Sequence, residues 1–134
     1  MCGHAAPSVR AVACPGHSED SSSLVFQSPE GKQVWIVGDA ILNEDWLLAW
    51  GYYWPNEYDE REIIDTWRSV ARILVAADIV VPGHGSPIRI TVELLQELVK
   101  SFLTRARYAE ECPDVGDSIR ARISHMEMTA APTS

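Results

Sequence analysis

The chain alternates twice between short, nearly unbroken apolar runs and long stretches with helical spacing, which limits it to layered architectures of sheet and helix. Ala11-Val12-Ala13, residues 24–27 and residues 33–39 read as strands. The second and third flank Ser28-Pro29-Glu30-Gly31-Lys32, a strong turn signal, and so predict a hairpin. Residues 59–77 place Ile63, Ile64, Trp67, Val70, Ala71, Leu74 and Val75 at helical spacing, with Asp59 and Glu60 where a helix start favours acid. Residues 78–81 form another buried strand. Thr91 is an N-cap candidate for a second helix, whose apolar face is Leu94, Leu95, Leu98, Val99, Phe102, Leu103 and Ala106. The predicted order is strand, strand, strand, helix, strand, helix. Beyond Tyr108 the pattern fades, so residues 110–134 read as a mobile tail and residues 1–10 as an unstructured start.

A length of 134 residues with 46% hydrophobic content suits one domain with a real core. The net charge of −8 argues against binding a phosphate backbone by bulk electrostatics. It leaves room for a nucleic acid held at a metal site, where the ion supplies the positive charge. Cys2, Cys14 and Cys112 are odd in number and widely spaced, a pattern of free thiols in a reducing compartment. No apolar run approaches the roughly 20 residues of a membrane span, and no apolar segment follows the start as in a signal peptide. The expected location is the cytoplasm, with the nucleus as alternative and no membrane partner.

Three residues at strand ends carry the chemistry: His17 in Pro15-Gly16-His17, Asp39 in Gly38-Asp39, and His84 in Val81-Pro82-Gly83-His84-Gly85. Neutral imidazole and carboxylate oxygen are the ligands that zinc and related ions use in hydrolytic centres. A sheet rim offers rigid backbone from which such side chains can converge. Taken singly, each is an ordinary turn residue satisfied by hydrogen bonds or solvent. The repeated Pro-Gly-His with an aspartate between favours metal. Residues 43–58 concentrate Trp46, Trp50, Tyr52, Tyr53, Trp54 and Tyr58. They either line a substrate groove, with Trp46 as a contact candidate, or pack as a structural lid over the sheet edge. Cys14 is a soft ligand beside His17 or a buried, inert thiol.

Pro15-Gly16-His17-Ser18, Gly38-Asp39-Ala40 and Val81-Pro82-Gly83-His84-Gly85, in that order, resemble the last three metal-binding motifs of the metallo-β-lactamase fold. The likeness runs on through the Trp-rich loop, the first helix and residues 77–89, covering about residues 11–91. It implies an α/β, α+β layered fold: residues 11–109 as the C-terminal half of an αββα sandwich, with the N-terminal half missing. It also implies a metal-dependent hydrolase with two zinc ions in the intact site. By carry-over His17 completes the first ion's histidine set, Asp39 bridges both ions and His84 binds the second. A metal-bound hydroxide, and no side chain, is then the nucleophile, with Ser18 as a supporting residue beside His17. The substrate is a small molecule or an RNA phosphodiester, because the likeness leans toward the branch that includes RNA-processing endonucleases.

The family's His-x-His-x-Asp-His motif has no counterpart here. Cys2-Gly3-His4 does not match it, and His4 lies too close to His17 to stand in. Cys14 replaces the commoner threonine, and Asp20 a frequent glycine. The alternative expectation is therefore a truncated or non-catalytic fragment. Its half-sandwich would expose a sheet face and be marginally stable unless it formed a homodimer.

Overall fold

The hairpin signal is realised at the start of a five-stranded sheet. The computed structural model describes residues 9–14, 22–52 and 59–129. Within them β1 (Arg10–Ala13), β2 (Ser22–Gln27) and β3 (Gln33–Gly38) form an antiparallel meander. The β2–β3 turn is closed by Ser28 N–H to Lys32 O at 2.7 Å and Gly31 N–H to Ser28 O at 2.9 Å. Gly31 sits at φ +85°, a conformation glycine adopts without steric cost. The chain then crosses through α1 (Glu44–Leu48) and α2 (Glu60–Ala76) to β4 (Ile79–Pro82), which pairs parallel to β3. The two-residue β5 (Ile88–Arg89) adds antiparallel to β4, and α3 (Val92–Arg105) and α4 (Pro113–Thr129) follow. The sheet order is β1-β2-β3-β4-β5. No helix among the described residues is long and apolar enough to cross a membrane.

Helix starts are set as the residues suggest. Asp59 accepts from Glu62 N–H at 2.8 Å, and Glu62 reaches back to Asp59 N–H, a reciprocal capping box that opens α2. Thr91 accepts from Leu94 N–H at 3.1 Å and caps α3 as expected. On α2, Ile63, Trp67, Val70, Ala71 and Leu74 are buried, joined by Ile73, whereas Val75 is exposed. On α3, Leu95, Leu98 and Phe102 are buried and Leu103 is exposed. These helix residues meet Val25, Trp35, Val37 and Val80 from the inner face of the sheet in a single core cluster. Trp50 anchors the loop before α2. It sits at φ +52°, donates its indole N–H to Leu98 O at 3.2 Å, and packs edge-on to Trp67 at 5.5 Å. Trp50 thus plays a structural part, packed on α2 and α3 and not over the sheet edge, while Tyr53, Trp54 and Tyr58 lie outside the described residues.

Asp78 ties the strands to the helices. Its carboxylate accepts from Gln33 N–H at 2.8 Å and from Arg122 of α4 at 3.3 Å, and its carbonyl accepts from Ile90 N–H at 2.9 Å.

The expected mobile tail is corrected over most of its length. α3 stops at Arg105, Tyr108 turns the chain at φ +62°, and a 3-10 turn (Ala109–Glu111) leads into α4. That helix buries Val115, Gly116, Ile119 and Ile123 against α2 and α3. Residues 1–8 of the expected unstructured start, and residues 130–134, lie outside the described residues.

Arg68 of α2 pairs with Asp114 of α4 at 3.1 Å, and that hydrogen bond holds the Asp114 carboxyl below the ordinary carboxylate range. A depressed folded-state value contributes stability above the unfolded value of about 3.8, lost as pH falls through the folded one. Both side chains are more than half exposed, so solvent screening keeps the contribution small. Arg68→Ala is expected to lower the urea midpoint slightly at pH 7. That deficit should shrink as the pH is taken below about 3.8 in parallel denaturation series.

Candidate metal centre

Because β3 and β4 run parallel, their C-terminal ends emerge at the same rim of the sheet, with Gly38 in register with Pro82. The two loops that leave this rim stay zipped together. Gly83 N–H donates to Ile41 O at 3.0 Å and His84 N–H to Leu42 O at 2.8 Å. The result places His84 Nε2 3.7 Å from Asp39 Oδ1, beyond a hydrogen bond, with the two side chains 75% and 50% exposed.

Local sequence accounts for the approach. A Cβ on residue 83 would lie 2.8 Å from both Asp39 Oδ1 and the Gly38 carbonyl, so only glycine lets the loops come this close. Gly85 takes φ +140° and passes Asn43, whose Cβ would be 3.1 Å from a side chain there. Asn43 also closes the other loop: its Oδ1 accepts from Trp46 N–H at 2.8 Å and caps α1. The sequence reading passed over Asn43, although Asn43-Glu44-Asp45 is a helix-start signal.

Two ligands bound at about 2.0–2.2 Å to one zinc-class ion lie roughly 3–4 Å apart. The 3.7 Å separation of a carboxylate oxygen and an imidazole nitrogen fits that requirement. Two donors are a partial set. Among the described residues no group of three or more His, Cys, Asp or Glu side chains gathers as metal ligands do. His17 and Ser18 lie outside the described residues. Cys14 is buried in the core, with Sγ 3.3 Å from Ser23 Oγ, as an inert thiol would be. Trp46 packs its indole on the Gly51 backbone, where a Cβ would come within 2.7 Å of the ring.

Beside the zipped loops lies a pocket of about 460 Å³, lined by Asn43, Glu44, Asp45, Ser86, Arg89 and Thr91 among others. It shares the 43–45 and 86–89 segments with the loops that carry Asp39 and His84. Carboxylates line one part of it and a guanidinium another. Sequence spacing could not have found it, because its walls come from α1, β5 and the α3 cap together.

No family model matches the chain. Among curated proteins it is similar to metallo-beta-lactamase domain-containing protein 1 of Xenopus laevis, with 34% identity over 79 residues, 59% of this chain and 31% of that protein. The chain thus spans about a third of the length of the curated relative it matches. That likeness supports a metallo-β-lactamase-like relationship, and the mixed sheet with its four helices is compatible with the α+β layering expected of one.

Proposed function

We propose that this chain contributes Asp39 and His84 as ligands to a zinc-class metal centre of a metallo-β-lactamase-type hydrolase, with His17 as the third candidate. The observation that carries this is the 3.7 Å approach of Asp39 Oδ1 to His84 Nε2 at the common end of a parallel strand pair. The printed name of the relative supports it, since it is a metallo-β-lactamase domain protein. In this proposal the helices on one side of a single sheet correspond to the C-terminal half of an αββα sandwich.

When bound, the metal supplies Lewis acidity and an acidified water for hydrolysis. The chain's own part is to hold donors. Asp39 offers carboxylate oxygen, and His84 offers neutral imidazole from a loop whose backbone is fixed to Leu42. The adjoining pocket holds the body of the substrate, a small molecule or an RNA segment around its phosphodiester. With a net charge of −8, an RNA substrate would depend on the cation for its attraction.

Elemental analysis of the purified chain after zinc loading and exhaustive dialysis is the test. The expected result is about one zinc per chain, lost in both His84→Ala and Asp39→Asn. Zinc that is absent from the folded wild type, or retained undiminished by both variants, would overturn the assignment.

A further inference from the structure

The pocket beside the zipped loops has one cationic side chain in its walls, and that side chain is uncommitted. Arg89 lies on β5, the last strand of the sheet, where pairing with Ile79 fixes its backbone. Its neighbours Ile88 and Ile90 are 3% and 5% exposed, and Ile90 N–H donates to Asp78 O at 2.9 Å. The guanidinium itself has no hydrogen-bond or ion-pair partner among the described residues. Arg68, Arg72, Arg105, Arg107, Arg120 and Arg122, by contrast, each donate to a neighbour. Glu44 and Asp45 line the same pocket, yet neither pairs with Arg89 across it. Helix capping decides what the other walls offer. Asn43 Oδ1 accepts from Trp46 N–H, which leaves the side-chain amide N–H groups to donate. Thr91 Oγ1 accepts from Leu94 N–H, so its hydroxyl proton is also left to donate. Ser86 adds a further hydroxyl.

We propose that Arg89 anchors a small molecule by a singly charged anionic group. That this molecule is the substrate rests on the metal-centre reading above. Size fits: about 460 Å³ falls within the roughly 300–1,000 Å³ of small-ligand sites. The donor set fits as well. A guanidinium is a planar fork that meets two carboxylate or phosphodiester oxygens at once, and Asn43, Ser86 and Thr91 add donors around it. The acids set the limit. Glu44 and Asp45, in a chain of net charge −8, repel every further negative charge, so the walls that admit one anion oppose a polynucleotide. Proximity ties the pocket to the metal pair. Ser86 follows His84 on the same loop, and Gly85 passes so close to Asn43 that an added Cβ would lie 3.1 Å away. The anchored group and the metal ligands therefore share one pair of loops.

NMR titration of the metal-free full chain with N-acetylglycine tests this, read at the backbone amides of Ser86, Ile88, Arg89 and Thr91. The expected result is a common, saturating shift in the low-millimolar range, as suits a ligand of so few atoms. The neutral N-acetylglycinamide should leave these amides unmoved. Arg89→Gln should weaken binding at least about tenfold, whereas Arg61→Gln, an exposed arginine of α2, should not change it. Dimethyl phosphate, also singly charged, separates the two sources of the anion: the one that saturates at lower concentration is the group Arg89 takes. A hexauridylate should bind more weakly than either. No saturable shift, an equal response to the neutral amide, or indifference to Arg89→Gln would overturn the proposal. A hexauridylate that binds these amides more tightly than both small anions would overturn its restriction to small molecules. Because the chain is metal-free, failure here leaves the zinc assignment standing, and anion binding by a chain that holds no zinc would uphold the anchor alone.

Discussion

Trp67→Ala is expected to destabilise the fold by about 3–5 kcal/mol, a large part of the 5–15 kcal/mol typical of a whole domain. Trp67 is 1% exposed and heads the largest fully buried side chains. Its ring meets Trp50 edge-on at 5.5 Å and Tyr52 at 6.1 Å, and its indole N–H donates to Arg107 O at 2.6 Å. Truncation therefore opens a cavity among rigid rings and leaves the Arg107 carbonyl without its donor. Trp50 loses the contact that helps hold its left-handed backbone. Urea denaturation followed by circular dichroism should show a midpoint far below wild type, and Trp67→Phe should recover only part of it. A loss under about 1 kcal/mol would mean that the aromatic cluster is not what fixes the loop to the helices.

Ile119→Asp is expected to be as damaging or worse, about 4 kcal/mol or more, because it asks the core to hold an unpaired carboxylate or protonate it. Ile119 is fully buried on α4, between Val115 and Ile123, where the helix packs on α2 and α3. Were this segment a solvated tail, the same substitution would leave the thermal midpoint untouched. Thermal unfolding therefore separates the two descriptions of residues 113–129 in one experiment. A midpoint equal to that of wild type would remove α4 from the core.

That segment also shows where sequence reading stops. Val115, Ile119, Ile123 and Met126 do recur at helical spacing, so the signal was present. It was thinned by Gly116, Ser118 and charges scattered singly at Asp114, Asp117, Arg120 and Arg122, and an interior glycine costs roughly 1 kcal/mol relative to alanine. Packing, not propensity, makes this helix, and packing is invisible until α2 and α3 are in place. β5 escaped for a different reason: Ile88-Arg89 is too short to have a period, and it exists through its pairing with Ile79 and Val80. The hairpin, α2 and α3 were legible because each has both a pattern and a start signal of its own. At the candidate site, the residue types Asp39 and His84 were legible and their 3.7 Å meeting was not. It depends on β3 and β4 being parallel neighbours, a long-range choice that no local stretch encodes.

The pairing of β3 with β4 has a kinetic side. β1, β2 and β3 can zip through short turns, whereas β4 must return across the whole of α1 and α2 before Gly38 can face Pro82. Closing such a long loop is slow and entropically uphill until its contacts form. The rim that brings Asp39 to His84 is therefore assembled late, and an excursion that peels β4 and β5 away would dissolve it while the meander persists. Metal capture by this chain would then act as a latch on its last-formed strand pair, slowing unfolding more than it speeds folding.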